Sequence, residues 1–408
     1  MKIRTLQLVA LLVTMVTLAG CHASPAWKWK THVGDTHDTS IVAPLGVGDN
    51  MVFAVASQPR PGRYPGNAYQ FMQAFDKDTG HFLWHYQLGR HPDVGGCGVT
   101  QPVFDRGIVY VALECSNIEA VDTSTGQKLW VFPPMGEIEQ GKPLFAYPRI
   151  EECSTPVVAE SEVYFLCSYS DMMATMAGEA RGDADVLLAL DRTSGYPVWE
   201  FLTPSSLGKS PIAVTQSNVF MVNGEKVLQA IDRKAGEVVW EFGTEFGITS
   251  PPFAVQGQIF TASYEGDMPD ILILDEQTGE VDRQIPVAAE EGWLDRVALM
   301  DDVILGVLNV WRIEMPSKGY LYAIDAQTGQ TRWRFSAGDS INPASLTFHD
   351  NTIFLSTYTT LFALDGATGK VKWRFRDRKG MVAPTLGDDV LYVGDDAGYI
   401  YAIPLDKE

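Results

Sequence analysis

The stretch ALDGATGKVKWRF, residues 363–375, decides the fold. Apolar and polar side chains alternate on both sides of a short polar segment, which predicts two β-strands joined by a tight turn. The carboxylate of Asp365 can accept hydrogen bonds from turn amides two or three residues later. Gly369 supplies the positive φ that such a turn needs. Trp373 then adds a large flat ring whose indole N–H requires an acceptor.

This pattern, small-x-Asp-x-x-Thr-Gly-x-x-x-Trp-x-aromatic, occurs seven times along the chain. Most of the turn glycines lie 40 to 50 residues apart, the length of one four-stranded blade of a β-propeller. The other copies are AFDKDTGHFLWHY (74–86), AVDTSTGQKLWVF (120–132), ALDRTSGYPVWEF (189–201), AIDRKAGEVVWEF (230–242), ILDEQTGEVDRQI (273–285) and AIDAQTGQTRWRF (323–335).

Three positions of the repeat have predicted roles in the turn and in packing between neighbouring sheets. The turn aspartates are Asp76, Asp122, Asp191, Asp232, Asp325 and Asp365, and the turn glycines are Gly80, Gly126, Gly195, Gly236, Gly329 and Gly369. The docking tryptophans are Trp84, Trp130, Trp199, Trp240, Trp333 and Trp373. The fifth copy has Arg283 at the tryptophan position, which leaves the docking of that blade open.

The two ends of the chain complete the blade count. Residues 399–404 continue the strand pattern without a Thr-Gly turn or a tryptophan, and residues 26–30 supply the Trp-x-aromatic spacing of a fourth strand. We therefore predict an all-β, eight-bladed propeller of four-stranded antiparallel blades, in which the N- and C-terminal strands close the ring. Closure removes the exposed sheet edges that promote aggregation.

The N-terminal segment predicts export and lipidation. A short basic start is followed by the apolar run 6–18 and then by Leu18-Ala19-Gly20-Cys21, the small-residue and cysteine sequence of a lipoprotein signal. We predict a signal peptide over 1–20, lipidation of Cys21, a tether over 21–25 and the propeller over 26–408. The alternative is an ordinary signal peptide with an incidental cysteine. His22, rather than Asp, follows the cysteine and favours a periplasm-facing outer-membrane location.

The charge of the chain restricts its partners. The formal net charge is −20, so an acidic surface would repel phosphate backbones and anionic lipid headgroups. We therefore predict no nucleic-acid partner, and contact with the membrane through the lipid anchor only. No segment after the N-terminal run approaches the roughly 20 apolar residues of a transmembrane helix.

Long insertions are expected on one face of the ring. In a blade with strands A to D numbered outward, the A–B and C–D turns lie on one face, and the B–C and D–A connections lie on the other. The predicted insertions all belong to the second face, here called the long-loop face; they are residues 56–68, 133–152, 168–185 and 309–318. Long loops on a rigid scaffold are usual sites of recognition, although neutral drift in tolerant loops is the alternative.

The remaining four cysteines lie near the same face. Cys97 and Cys115 are symmetric about the A–B turn of blade 2, and Cys153 and Cys167 are symmetric about the equivalent turn of blade 3. Because each pair is opposed across a hairpin, we predict the disulfides Cys97–Cys115 and Cys153–Cys167. Four cysteines allow two other connectivities. A metal site is less favoured because no C-x-x-C pair occurs, and we predict no metal ligands.

The seven copies resemble the tryptophan-docking repeats of PQQ-type propellers, and the resemblance covers residues 26–406. The quinoprotein dehydrogenases of that class have adjacent cysteines and a calcium ion held by acidic and amide side chains. This chain has no adjacent cysteines, no C-x-x-C-H and none of the common hydrolase motifs. We therefore predict no catalytic residues and no cofactor, with PQQ possible but unsupported by a motif.

The lipobox, the short tether, the early tryptophan strand and the eight blades also resemble the BamB family of outer-membrane barrel-assembly lipoproteins. The resemblance implies a non-catalytic scaffold that binds an envelope protein through loops of one face. The cysteine pairs and the blade-3 insertion depart from that family. Two alternatives remain, a PQQ-binding redox enzyme with convergent charged groups in the channel, and a ligand- or polysaccharide-binding propeller with aromatic residues at the channel mouth.

Overall fold

The computed structural model describes residues 25–34, 38–59, 68–89, 98–113, 117–133, 149–170, 184–203, 210–224, 226–265, 268–288, 292–310, 317–377 and 380–405. These residues form eight antiparallel sheets arranged as an eight-bladed β-propeller, as the sequence predicts. The signal segment and Cys21 lie outside the described residues. Within the described part, no helix is long and apolar enough to cross a membrane.

The strands of the first four blades run from the innermost strand to the outermost in chain order. Blade 1 contains β2 (Ser40–Ile41), β3 (Gly46–Val47), β4 (Met51–Pro59), β5 (Ala68–Asp76) and β6 (Phe82–Gln87); blade 2 contains β7 (Val103–Asp105), β8 (Ile108–Ala112), β9 (Ile118–Asp122) and β10 (Lys128–Phe132). Blade 3 contains β11 (Arg149–Cys153), β12 (Val157–Val158), β13 (Glu162–Ser170), β14 (Ala184–Asp191) and β15 (Pro197–Thr203); blade 4 contains β16 (Ala213–Val214), β17 (Asn218–Val222), β18 (Leu228–Asp232) and β19 (Val238–Phe242).

The other four blades follow the same order, except that the last blade takes its outer strand, β1 (Trp29–His32), from the N-terminal segment. Blade 5 contains β20 (Phe253–Val255), β21 (Gln258–Glu265), β22 (Met268–Asp275) and β23 (Val281–Pro286); blade 6 contains β24 (Trp293–Met300), β25 (Val303–Val310), β26 (Lys318–Asp325) and β27 (Thr331–Ser336). Blade 7 contains β28 (Thr347–His349), β29 (Thr352–Ser356), β30 (Thr360–Asp365) and β31 (Val371–Arg376), preceded by a 3-10 turn (Pro343–Ser345); blade 8 contains β32 (Thr385–Gly387), β33 (Val390–Gly394), β34 (Tyr399–Pro404) and β1.

The ring closes through β1, which pairs antiparallel with β34 and places Trp29 opposite Ala402. The predicted joining of the two chain ends is confirmed. The closing strand, however, covers Trp29–His32 rather than the predicted residues 26–30. Trp29, not Trp27, takes the docking position and donates its indole N–H to the Lys77 carbonyl at 3.0 Å. Trp27 precedes the strand and is 46% exposed, and its ring lies edge-on against Phe375.

The apolar core is distributed among the blade junctions. Among the described residues, the buried side chains form eight clusters, and each cluster contains residues from two adjacent blades. Each sheet therefore buries both faces against its neighbours, which explains why its middle strands are almost continuously apolar. Stability of the ring thus depends on contacts between blades rather than on one central core.

Tryptophan docking joins one blade to the turn of the next. Trp130 donates its indole N–H to the Arg192 carbonyl at 3.0 Å, and its ring lies over Gly195. Gly195 has a φ of 72°, and a Cβ built there would lie 2.5 Å from two ring carbons. Only glycine meets both demands. The equivalent bonds are Trp84 to Thr123, Trp199 to Arg233, Trp240 to Glu276 and Trp333 to Gly366.

Blade 5 docks although it lacks the tryptophan. The Arg283 guanidinium donates to the Ala326 carbonyl, and it lies beside Gly329 in the turn of blade 6. A guanidinium is planar and rich in N–H donors, so it reproduces both the flat surface and the hydrogen bond of the indole. The docking that the sequence left open is therefore made by a different side chain.

The turn aspartates hold their turns through short polar bonds. Asp76 Oδ1 accepts hydrogen bonds from the Thr79 hydroxyl at 2.6 Å and from the Thr79 amide at 2.8 Å. These bonds lower the pKa of Asp76 below its usual range. Matching hydroxyl or amide bonds are made by Asp122, Asp191, Asp232, Asp325 and Asp365.

Candidate functional site

The predicted insertions of the long-loop face are shorter than the sequence suggested. β4 continues to Pro59 and β5 begins at Ala68, and β13 continues to Ser170. β14 begins at Ala184, and β25 continues to Val310. The predicted boundaries are wrong because polar residues at the insertion ends still pair within these longer strands. The central parts, residues 60–67, 134–148, 171–183 and 311–316, lie outside the described residues.

A disulfide lies at the long-loop end of blade 3. Cys153 and Cys167 are directly paired across β11 and β13 and are joined, with their Cα atoms 4.0 Å apart. Cys97 and Cys115 lie outside the described residues. The last described pair in blade 2 is Val99 with Leu113, and the same register continued by two residues would oppose the two cysteines. Their pairing stays a prediction.

An aromatic group lies where strands of three blades reach the long-loop face. The rings of Tyr264, near the end of β21, and Trp293, at the start of β24, are stacked with centroids 5.1 Å apart. The ammonium of Lys226 lies 5.6 Å from the Trp293 ring centroid, within cation–π range. Trp293 is 43% exposed, and Phe246 and Met268 on the same face are 47% and 45% exposed. We call these five residues, which share the long-loop face and of which Tyr264, Trp293 and Lys226 are in contact, the mouth cluster.

The backbone beneath the mouth cluster is fixed by turn geometry. Lys226 has a φ of 60° in the B–C turn of blade 4, where its amide donates to the Asn223 carbonyl at 2.9 Å. Its carbonyl accepts from Ile248 at 2.8 Å, which ties the turn to the connection that carries Phe246. A Cβ at Gly247 would lie 2.5 Å from that of Lys226, so glycine permits this close approach.

Polar contacts also hold the strand that carries Trp293. Trp293 pairs with Asn309 across β24 and β25. The buried Asn309 amide donates to Asp295 at 2.7 Å and to the Ile341 carbonyl of blade 7 at 2.9 Å, and its oxygen accepts from Ile341. These bonds anchor the start of β24 to the adjacent blade. The mouth cluster therefore stands on a rigid support, which lowers the entropic cost of binding.

Asp295 and Arg296 form the charged part of the innermost strand of blade 6. Burial raises the pKa of Asp295, partly offset by the hydrogen bond from Asn309, and burial lowers the pKa of Arg296. Arg296 Nε is buried without a hydrogen-bond partner in the described part of the chain. Corresponding inner positions of other blades carry uncharged residues, including Gln101 and Thr155.

These side chains do not fit the quinone-and-calcium site of the dehydrogenases with this fold. Asp295 and Arg296 belong to one blade and do not form a convergent set of charges from several blades. Among the described residues, no group of three or more His, Cys, Asp or Glu side chains is placed to hold a metal ion. The sequence also lacks adjacent cysteines. We therefore derive no redox step for this chain.

Glu119 is a buried carboxyl group at the start of β9 in blade 2. It accepts hydrogen bonds from the Tyr86 hydroxyl and the Asn117 amide, both at 2.9 Å. Burial raises the pKa of Glu119, although the two hydrogen bonds oppose the shift. Burial and the adjacent carboxylate raise the pKa of Tyr86, which therefore remains protonated and continues to donate. The folded state therefore holds the Glu119 proton more tightly than the unfolded chain does.

We expect Glu119→Gln to remove a pH dependence of stability. Because the folded pKa lies above the unfolded value, wild-type stability should rise as pH falls through the folded pKa towards about 4.3. As the pH is lowered from 7.5 to 6 and 5, the free energy of unfolding measured by urea titration should increase for wild type relative to the variant. The exposed Glu280→Gln serves as control. A difference that does not vary with pH would contradict the interpretation.

Sequence analysis missed the mouth cluster because the repeat pattern does not include it. Its five residues come from connections and strand ends of blades 4 to 6, and only the fold places them on one face. One signal was available. Of the ten tryptophans, only Trp293 and Trp311 occupy neither a docking position nor the N-terminal closing segment.

The fold and its docking pattern define a class of protein, the PQQ-like eight-bladed propellers. The sequence model of the PQQ_2 family, described as outer membrane protein assembly factor BamB, matches residues 23–184, 182–291 and 317–408. Because these matches cover most of the chain, the protein belongs to this family. A search of curated proteins gives no significant match.

Several solved structures share the architecture. BamB from Moraxella catarrhalis is 15% identical with a TM-score of 0.61, over 93% of this chain and 99% of that one. A quinohemoprotein alcohol dehydrogenase from Comamonas testosteroni is 14% identical with a TM-score of 0.61, over 94% and 77%. Saccharomyces cerevisiae Sqt1 is 11% identical with a TM-score of 0.64, over 94% and 100%. At these identities the likeness shows the fold alone.

The family match leaves one internal segment uncovered, residues 292–316. This segment contains β24 and β25 of blade 6. It therefore includes Trp293, Asp295 and Arg296, so part of the mouth cluster and the charged pair of the inner strand lie outside the matched residues.

Proposed function

We propose that the protein is a non-catalytic scaffold of the bacterial envelope that binds a partner protein through the mouth cluster. The observation that carries the proposal is the stacking of the exposed Trp293 ring on the half-buried Tyr264 ring at the long-loop face. Aromatic and methionine side chains are enriched at protein interfaces, and tryptophan and tyrosine dominate their binding energy. The absence of a catalytic motif from the sequence agrees with a role in binding.

The family supplies the cellular setting of this proposal. Its description names outer membrane protein assembly, and the sequence before Cys21 has the pattern that predicts a lipoprotein signal. We propose an anchor at Cys21 in the outer membrane, with the propeller in the periplasm and a barrel-assembly subunit as partner. No cofactor and no nucleic acid form part of the proposal.

The test is affinity capture of the tagged chain from solubilised envelope membranes, with quantitative mass spectrometry of barrel-assembly subunits. We expect Trp293→Ala to reduce their recovery by about tenfold or more, because a central aromatic contact contributes about 2 kcal/mol. Trp27→Ala is the matched control, since Trp27 is similarly exposed but lies outside the mouth cluster. Recovery that is unchanged by Trp293→Ala, or that lacks barrel-assembly subunits in wild type, would refute the proposal.

A polysaccharide is the second candidate ligand, because an exposed aromatic ring such as that of Trp293 can also bind the face of a sugar ring. Titration of the purified chain with soluble envelope polysaccharide, followed by tryptophan fluorescence, distinguishes the two functions. A saturable change that Trp293→Ala removes would favour the polysaccharide. No change, together with retained capture of the protein partner, would favour the scaffold.

A further inference from the structure

The repeat tryptophans of blades 6, 7 and 8 are each followed by a cation, although the chain carries a net charge of −20. In blade 6, tyrosine rings cover this cation: the Arg334 guanidinium lies 4.9 Å from the ring centroid of Tyr320 and 6.0 Å from that of Tyr322. Both distances are within cation–π range. The matching ammonium in blade 8 is that of Lys30, at 3.9 Å from the ring centroid of Tyr399 and 4.6 Å from that of Tyr401.

Blade 7 lacks the first tyrosine of this arrangement. Thr360 occupies its position on β30, and Arg376 adds a second cation two residues after Arg374. The strand register places Thr360 opposite Arg376, and it places Phe362 opposite the first arginine. Opposed side chains share one face of a sheet, and Phe362 contacts Phe335 of blade 6 with ring centroids 5.2 Å apart. Both arginines therefore lie on the face of blade 7 that is turned towards blade 6.

A cavity of about 430 Å³, here called the blade 6–7 cavity, lies on this face. Its volume is within the roughly 300–1,000 Å³ range of small-ligand sites. The lining consists of residues 337–339 from the connection after blade 6, and of Thr357, Thr359, Thr360, Phe362, Arg374 and Arg376 from blade 7. The ring of Phe362 is buried, whereas both arginines are exposed and accessible to a ligand.

The charges of the two arginines are not compensated within the described part of the chain. Neither guanidinium forms a hydrogen bond, an ion pair or an aromatic contact with another described residue. The one carboxylate of the lining belongs to Asp339 and accepts from the backbone amide of the next residue at 2.8 Å. Asp377 follows Arg376 but accepts from the Tyr401 hydroxyl of blade 8 at 3.2 Å, on the other side of the sheet. The lining of the blade 6–7 cavity is therefore net positive.

We propose that the blade 6–7 cavity binds a phosphate group. A guanidinium presents paired N–H donors that match the oxygens of a phosphate. Arg374 and Arg376 are two residues apart on one strand, so their Cα atoms lie about 6.7 Å apart and both side chains reach the same anion. The hydroxyls of Thr359 and Thr360 supply further donors. A phosphate group has three acceptor oxygens for this set of donors, whereas a carboxylate has two. The site is separate from the mouth cluster and does not depend on the proposed scaffold function.

The test is calorimetric titration of the purified full-length chain with inorganic phosphate in about 150 mM chloride, which screens weak attraction between exposed charges. We expect saturable binding that Arg374→Gln weakens by about tenfold or more, because the substitution removes a charge-assisted hydrogen bond. Arg334→Gln is the matched control. It removes the equivalent arginine of blade 6, which lies over tyrosine rings, and should leave the phosphate affinity unchanged.

Thr360→Tyr separates a shaped site from a general attraction of anions to positive charge. The variant keeps both arginines and restores the tyrosine that blades 6 and 8 have at this position. The added ring should fill the cavity and block phosphate. The proposal is overturned if wild type does not bind phosphate or if acetate binds equally. It is also overturned if Arg374→Gln or Thr360→Tyr binds phosphate with unchanged affinity.

Two soluble esters identify the source of the phosphate. Glycerol phosphate is a monoester, and glycerophosphoglycerol is the diester headgroup of an anionic phospholipid. Tighter binding of the monoester would support a soluble phosphorylated ligand, and tighter binding of the diester would support a lipid headgroup. Either ester should lose its affinity in Thr360→Tyr, because both would place their phosphate in the same cavity. An ester that binds this variant as tightly as wild type would count against the site.

Discussion

Trp130→Ala should reduce the free energy of unfolding by about 3–5 kcal/mol, the usual cost of truncating a buried aromatic side chain. Trp130 is 7% exposed, the least exposed of the repeat tryptophans, and it belongs to the cluster shared by blades 2 and 3. Its loss would remove the ring from Gly195 and the indole bond to the Arg192 carbonyl. Since the core of the ring is divided among junctions, neighbouring contacts cannot replace it.

Chemical denaturation followed by circular dichroism measures this effect. Trp130→Phe should cost less than the alanine variant, because it retains much of the apolar contact and loses one hydrogen bond of about 1 kcal/mol. Trp27→Ala, at an exposed position outside the docking pattern, is the control and should change stability by less than about 1 kcal/mol. Equal losses from Trp130→Ala and Trp27→Ala would show that docking does not stabilise the ring.

The blade count could be predicted because each repeat carries its own local requirements. A tight turn needs a side-chain acceptor such as Asp191 and a positive-φ residue such as Gly195, and both leave a fixed mark in the sequence. The closing strand was misplaced because Trp27 and Trp29 both fit its spacing. Only pairing with Ala402 distinguishes them, and that pairing joins opposite ends of the chain.

The candidate site was less accessible to sequence reasoning. Arg283 replaces a tryptophan through a hydrogen bond to the Ala326 carbonyl of the next blade. The repeat pattern describes a single hairpin, so it does not predict a bond between blades. Tyr264 and Trp293 come from different blades, so their stacking depends on ring geometry. The periodicity of the sequence predicts the strand or turn position of a residue within its own hairpin. Contacts between blades are tertiary, and a single sequence records them only where they repeat.

Removal of the Cys153–Cys167 disulfide is expected to cost about 2–4 kcal/mol of stability. The bridge joins residues with a sequence separation of 14. Crosslinking a loop of about 15 residues reduces the entropy of the unfolded chain and so raises its free energy by about 3 kcal/mol. Both cysteines are buried, so the double variant Cys153→Ala with Cys167→Ala also loses some apolar contact. The long-loop end of blade 3 should then open more readily than the rest of the ring.

Urea denaturation of wild type and the double variant, each at matched redox conditions, measures the loss. Hydrogen exchange should locate the weakened protection in β11 and β13, whose ladder the bridge crosses. The double variant Cys97→Ala with Cys115→Ala is the matched comparison and should lose a similar amount of stability, because the predicted second bridge would close a comparable hairpin in blade 2. Peptide mapping without reductant should recover two separate intrablade bridges. A bridge between Cys97 and Cys153 would contradict the predicted pairing, and unchanged stability would show that the strand ladder alone holds the loop.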